Sequence, residues 1–257
     1  MALKKAEAGE LVIESLKQNR IKVRLVGSTG LYMNAMSAKT LRTLVLGGTK
    51  MTAAEKKNNI KHQVYDEFRD STYRHATGET LLGFPAPGVK AAMATAALET
   101  AGVTKSSVQR LIFLPESMIR VWGVPKLKMD TVRSADMAKT PDVRTRAFLP
   151  RWCAEVDVAF ISPTLNAHGV LSLLNNAGVI VGIGDFRQEK GRGSFGCFDV
   201  CTPETMGDHQ GLWDELMEEG RDAQEAAFEN PMPEAGDFET QVLLDWFDKE
   251  MIRRQAA

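Results

Sequence analysis

Residues 153–178 read CAEVDVAFISPTLNAHGVLSLLNNAG. In the first nine, Val156, Val158 and Phe160 recur at every second position, the pattern of a strand with one buried face, while Glu155 and Asp157 fall on the other. Asn166 then stands where a helix needs its N-cap, and Val170, Leu171, Leu173, Leu174 and Ala177 follow at helical spacing. Gly178 supplies the expected stop. The stretch predicts one β-then-α unit.

An earlier stretch of the chain repeats the plan. IKVRLVG, Ile21 to Gly27, alternates Ile21, Val23 and Leu25 with Lys22 and Arg24, which predicts the first core strand. LLGFPAPGVKAAMATAALETAG predicts a helix from about Pro87 to Ala101, with Pro87 in the first turn and Gly102 as a left-handed stop. The apolar run Leu111 to Leu114 and then SMIRVW, where Arg120 and Trp122 share a face, add a strand or hairpin. Both helices close on similar punctuation, ETAGVT and NNAGVI. The expectation is therefore an α+β fold: two βαβ halves on one sheet, a ferredoxin-like or RRM-like core.

Two stretches read as excursions from that core. Residues 35–80 are long, polar and basic; Thr52 and Glu55 have capping-box spacing and open a predicted helix through Lys56, Lys57, Lys61, Tyr65 and Phe68. Residues 123–150 hold glycine, prolines and interleaved cations with little apolar periodicity. Beyond residue 200, helices are expected around Leu212 to Phe228 and Phe238 to Ile252, separated by ENPMPEAG. Val242, Leu243, Trp246, Phe247 and Met251 in the second need cover, from this chain's own core or from a neighbouring subunit. The expected division is a nucleic-acid-binding body over 1–200 and an acidic helical extension over 201–257.

Composition bounds the rest. The chain has 257 residues, 44% of them hydrophobic and 25% charged, which excludes collagen-like, mostly disordered and coiled-coil classes. No run reaches the ~18 apolar residues of a membrane span, and MALKKAEAGELVIESLKQ reads as an amphipathic helix. Cys153, Cys197 and Cys201 form no CxxC pair and read as reduced thiols, so a cytoplasmic protein is expected. The net charge of −1 conceals an asymmetry: residues 201–257 carry 15 acidic and 4 basic side chains, leaving 28 basic and 18 acidic before them. A basic body attracts a polyanion, and an acidic segment can compete for that surface or bind a neighbour's basic face.

The most distinctive segment is VGIGDFRQEKGRGSFGCFDV, Val181 to Val200, where Arg187, Lys190 and Arg192 interleave with Phe186, Phe195, Phe198 and five glycines. Glycine permits close backbone approach, cations pair with phosphates and aromatic faces stack on bases, so the segment reads as a nucleic-acid loop. The competing reading is a β-hairpin whose glycines make a tight turn and whose phenylalanines fill the core. GRGSFG has the GxGxxG spacing, but CFDVCTP follows it where a dinucleotide site needs a helix. Between residues 120 and 151, Arg120, Lys126, Lys128, Arg133, Lys139, Arg144, Arg146 and Arg151 oppose only Asp130, Asp136 and Asp142. Such a surplus can contact several phosphates. His62, Asp66, His75 and Glu79 raise a metal or acid-base alternative, but their spacing fits no ligand motif.

The order of features resembles the RAMP superfamily, in particular the RNA-binding backbone subunit of CRISPR effector complexes, including phage-borne homologues. The resemblance covers about residues 21–200 and rests on a strand ending near LYMN, GFPAPGVKAAM opening a helix, a later helix ending in AG, and GIGDFRQEKGRGSFG. It implies a glycine-rich loop that contacts RNA, matched in character by Gly182, Gly184, Gly191, Gly193 and Gly196, and insertions that form a thumb or web. Ser37 to Lys50 contains no Asp or Glu, where nuclease-active relatives carry an Asp, so the resemblance implies no target cleavage by that route. The acidic extension has no counterpart in it.

Together these expectations describe a non-catalytic protein that binds RNA or single-stranded DNA through phosphates and assembles as repeated copies with other ribonucleoprotein subunits. No cofactor, metal or membrane partner is expected. The expected contacts are Arg187, Lys190 and Arg192 with Gly184 and Gly193 from the loop, and Lys126, Lys128, Arg133, Arg144 and Arg146 from the second excursion. Lys56, Lys57 and Lys61 extend them, and Trp122 stacks or wedges between bases. The alternatives are a phage or mobile-element structural protein that self-assembles without nucleic acid and, less favoured, a metal-dependent nuclease.

Overall fold

A computed structural model describes residues 15–48, 60–100, 102–133, 139–190 and 193–256. The first strand, β1 (Lys17–Gly27), buries Val23 and Leu25 and turns Lys22 and Arg24 outward, as its alternation requires. β2 (Leu31–Tyr32) follows, then α1 (Ala38–Leu46), α2 (Val64–Asp70), β3 (Tyr73–Arg74) and β4 (Leu82–Pro85). α3 (Ala86–Ala96), α4 (Lys105–Leu111), β5 (Ile112–Phe113) and β6 (Met118–Trp122) lead to a long hairpin of β7 (Lys126–Arg133) and β8 (Pro141–Leu149). β9 (Cys153–Ser162), α5 (Ala167–Ile180), β10 (Phe198–Cys201), α6 (Met206–Glu229) and α7 (Phe238–Gln255) complete the chain.

The fold is α+β with two antiparallel sheets. The larger has seven strands in the order β10-β1-β9-β6-β4-β3, with β5 on β9; the smaller is β2-β8-β7. β9 therefore lies between β1 and β6, and β1 between β9 and β10, so the two β-helix-β passages through α3 and α5 interleave. The predicted inward set holds: Val156, Val158 and Phe160 join Val23, Leu25, Ile119 and Val121 in one buried cluster with Val89 and Met93 of α3 and Val170 and Leu174 of α5. Asn166 caps α5, accepting the Gly169 N–H at 2.7 Å.

Several boundaries differ from expectation. α3 ends at Ala96, followed by a 3-10 turn over Ala97–Glu99, so Gly102, left-handed as expected at φ +78°, lies past the helix rather than at its cap. Gly178 does not stop α5. It sits inside the helix because α5 rests on β10 there: a Cβ at Gly178 would stand 1.9 Å from the Phe198 carbonyl oxygen. The stop is Gly182, at φ +72°, whose N–H returns to the Ala177 carbonyl at 2.8 Å.

The two excursions are also more integrated than the sequence suggests. Val64 and Phe68 of α2 are buried in the main cluster, so residues 35–80 are only partly outside the core. The expected irregular stretch 123–150 is mostly the β7–β8 hairpin, paired from Lys126 to Arg133. The C-terminal helices fasten onto both sheets. Trp213 and Leu216 of α6 pack against Val26, Trp122 and Cys153. Gln224, fully buried, accepts the Leu81 N–H at 2.7 Å and donates to the Gly123 carbonyl at 3.2 Å. In α7, Leu243 and Phe247 pack on this chain's own core, whereas Val242 and Trp246 stay exposed. Among the described residues no helix is long and apolar enough to cross a membrane.

The Gly178 contact gives a direct test of this packing. Gly178→Ala is expected to cost about 1–3 kcal/mol because the added methyl meets backbone that cannot yield. Gly207→Ala, where nothing lies within 4 Å, is expected to change stability by under ~1 kcal/mol. Urea unfolding followed by circular dichroism checks both.

Candidate nucleic-acid interface

The register of the hairpin decides which side chains meet. Lys126 stands opposite Phe148, Lys128 opposite Arg146 and Asp130 opposite Arg144. Directly opposed residues share a face, so one face of the hairpin collects Lys126, Lys128, Arg144 and Arg146 around Asp130. The other carries Leu127, Met129, Thr145 and Ala147 and is buried. β2 extends the first face, with Tyr32 opposite Phe148.

The glycine-rich loop closes against that same face. Asp185 N–H donates to the Tyr32 carbonyl at 3.1 Å, and Gly196 N–H to the Gly30 carbonyl at 2.8 Å. Around the Tyr32 ring lie Phe148, Phe195 and Phe186, with centroids at 4.8, 4.9 and 5.5 Å. The Arg146 guanidinium lies 4.5 Å from the Phe186 centroid and 4.8 Å from that of Tyr32. It donates to Asp130 Oδ2 at 2.8 Å and to Asp185 Oδ2 at 2.7 Å, and Asn34 Nδ2 donates to the same Asp185 oxygen at 3.0 Å. One arginine thus joins the hairpin to the loop over an aromatic floor.

Burial governs the ionisation of this cluster. It raises the Asp130 carboxyl above its ordinary value, against the opposing pull of Arg146 and Lys128. It also pushes the Tyr32 hydroxyl above the usual tyrosine range, with the Asp130 charge adding to the effect. Beside the cluster opens a polar cleft of about 390 Å³ lined by Asn34, Ser37, His62, Asp142, Arg144 and Arg146 among others.

The sequence-predicted residues divide into three groups. Arg144 is exposed, Lys126 half-buried on the shared face, and Arg133 exposed at the far end of β7; none has an ion pair among the described residues. Lys61 pairs with Asp142 beside the cleft, Lys128 with Asp237 at 2.7 Å, and Arg187 with Glu189 at 2.8 Å while donating to the Gly184 carbonyl at 2.9 Å. Lys56, Lys57, Gly191 and Arg192, and the side chain of Lys190, lie outside the described residues.

Four expectations need correction. Trp122 cannot stack on a base: it is 2% exposed, covered by α6, with its ring 5.6 Å from that of Trp213. Arg146 is 1% exposed with both terminal nitrogens committed to carboxylates, so it organises the face rather than meeting phosphate. Gly184 and Gly193 serve the chain's own packing: a Cβ would stand 2.5 Å from the Tyr32 carbonyl oxygen at Gly184 and 1.4 Å from that of Phe186 at Gly193.

His62, Asp66, His75 and Glu79 are the remaining group to place. His62 Nδ1 lies 3.2 Å from Glu67 and its Nε2 3.1 Å from Asp142, while His75 Nε2 lies 3.3 Å from the Ile119 carbonyl. Among the described residues no group of three or more His, Cys, Asp or Glu side chains is disposed to hold a metal ion. Sequence reasoning missed Tyr32, Asn34, Phe148 and Asp185. The available signal was Asp185 inside the basic loop, a carboxylate that needs a cation.

No protein-family model matches the chain, and no curated protein matches it significantly. Among solved structures it is similar to Cmr6 from Pyrococcus furiosus, at 9% identity, with a TM-score of 0.37, over 72% of this chain and 98% of that one. At that score the likeness assigns neither residues nor function.

Replacing Arg146 tests the clamp. Arg146→Met is expected to cost about 3 kcal/mol at neutral pH by leaving two partly buried carboxylates unpaired. The Asp130 carboxyl is raised in the folded state, so the native protein binds its proton first, and stability gains as pH falls through the folded value. Without Arg146 the Asp130 carboxyl loses the cation that opposes this rise and is raised further, so the variant gains more than the unaltered chain as pH falls and its deficit should shrink between pH 7 and pH 4.5 in urea titrations; an equal deficit at both would contradict the clamp.

Proposed function

We propose that this chain binds single-stranded nucleic acid, RNA first, along the outward face of the β7–β8 hairpin and the adjoining glycine-rich loop, without cutting it. The observation that carries the reading is the convergence of the β7 and β8 strands with residues 184–190 and 193–195 on one face floored by Tyr32, Phe148, Phe186 and Phe195. Their sequence separation makes the meeting a product of the fold. Exposed Arg144 and half-buried Lys126 are the primary phosphate contacts; Arg133, opposite Pro141, falls on the other face of the hairpin and is not part of the track. Lys61, Lys128 and Arg187 are each held by a single carboxylate that a polyanion can displace, most readily at the exposed Lys61–Asp142 pair, since exposed ion pairs contribute only ~0–1 kcal/mol. Aromatic edges at the floor suit base or ribose contact more than full stacking, because Tyr32 and Phe148 are buried.

The same reading takes β10-β1-β9-β6 with α3 and α5 as a ferredoxin-like core. The interleaved strand order supports that assignment. It places the hairpin as an insertion between the two halves and residues 201–257 as an added extension. It also takes the protein as a repeated subunit of a CRISPR-type ribonucleoprotein. Exposed Phe238, Val242 and Trp246 on one side of α7, and Leu41, Leu44 and Val45 on α1, favour self-association. The alternative, assembly without nucleic acid, is separated by mass photometry of nuclease-treated protein: assemblies that persist favour it.

Binding is tested by fluorescence anisotropy with a labelled 20-nucleotide RNA across a salt series. Arg144→Ala and Lys126→Ala are each expected to weaken binding and to reduce the slope of log K against log salt by about 0.7, the share of one phosphate on a single strand. Arg110→Ala, on α4, is expected to leave both unchanged. Binding by the unaltered chain that ignores salt would overturn the reading.

A further inference from the structure

The acidic C-terminal arm lies along the outer edge of β7, the edge not paired with β8. It takes three of the backbone N–H groups that this edge presents: Leu127 donates to the Met232 carbonyl at 2.9 Å, Met129 to Thr240 Oγ1 at 3.0 Å and Thr131 to Glu239 Oε1 at 3.2 Å. Thr240 is fully buried. An uncovered strand edge is thereby satisfied without a further strand.

Asp237 reaches the candidate phosphate face from the arm. It caps α7 by accepting the Thr240 N–H at 3.2 Å, and its Oδ2 holds Lys128 Nζ at 2.7 Å. The cap does not need the charge, because Asn or Ser serves as well at that position. The Thr240 hydroxyl that receives the Met129 N–H also donates to Asp237 Oδ2 at 2.6 Å, a bond that the neutral oxygen of Asn or Ser can accept, while Met232 and Glu239 hold β7 without Asp237. What the carboxylate changes is the face itself. Lys61, Lys126, Lys128, Arg144 and Arg146 stand against Asp130, Asp142 and Asp185, a surplus of two positive charges that Asp237 halves.

We infer that Asp237 is an autoinhibitory competitor: it occupies Lys128 in place of a nucleic-acid phosphate and so sets the affinity of the hairpin face. The inference rests on the nucleic-acid reading above. A strand binds in full only when its phosphate displaces this carboxylate, or when a partner draws the arm's acidic end away.

The test is a double-mutant cycle on the full chain, using the same labelled RNA. Asp237→Asn is expected to raise affinity about threefold to tenfold at moderate salt and to steepen the salt slope by about 0.7. Lys128→Ala alone is expected to change little, because Lys128 is already occupied. In the Asp237→Asn background it should erase the whole gain. Asp237→Ser, which also keeps the cap, should reproduce Asp237→Asn, so a folding defect in one variant does not decide the outcome. No gain in either variant, or a gain that survives Lys128→Ala, overturns the inference. If the unaltered chain binds and Arg144→Ala weakens it while Asp237→Asn does not strengthen it, only this inference fails; if neither the unaltered chain nor Asp237→Asn binds, the nucleic-acid reading fails with it.

Discussion

The Arg146 guanidinium is the constraint on which the face depends. Packed against the Tyr32 and Phe186 rings and bonded to Asp130 on β7 and Asp185 in the loop, it ties together segments that meet through no other charged contact among the described residues. Such a cluster is expensive to assemble, because a cation and two carboxylates leave water together. It is tolerable here because the charges are bonded to one another, with Asn34 adding a further donor to Asp185. In return it fixes where the exposed neighbour Arg144 stands relative to the loop. A phosphate track needs positioned charge more than it needs much charge.

The division of charge along the chain does not translate into a bare positive surface. Arg20 pairs with Asp157, Lys22 with Glu155, Lys61 with Asp142, Arg151 with Glu215 and Arg187 with Glu189, so much of the basic body is neutralised within itself or by α6. The extension is therefore part of the electrostatics as well as of the packing. Its first helix covers one side of the larger sheet through Trp213 and Leu216, and its second guards the edge of the smaller. This arrangement covers the Trp122 ring on that side of the larger sheet.

Much of the framework was legible because it follows simple periodicities. Val23, Leu25, Val156 and Val158 lie where period two puts them, and Asn166 caps the helix its spacing implies. The hairpin was harder. Its inward side takes Leu127 and Met129 from β7, but β8 supplies only Val143, Thr145 and Ala147, short or polar residues that do not read as an apolar face. The loop was found by its composition, but its glycines had a different cause from the one inferred. Gly184 and Gly193 are required by backbone meeting backbone, neither by a strand of nucleic acid nor by the tight turn of a hairpin, while the loop's position beside Arg144 follows from pairings with β2 that no local pattern encodes.

Photo-crosslinking with a 4-thiouridine-substituted RNA, followed by peptide mapping, tests the central claim most directly. The account predicts adducts on peptides from both the β7–β8 hairpin and residues 184–195, lost together at high salt. Adducts confined to the larger sheet around Arg24 and Met217, or none from either predicted segment, would contradict it.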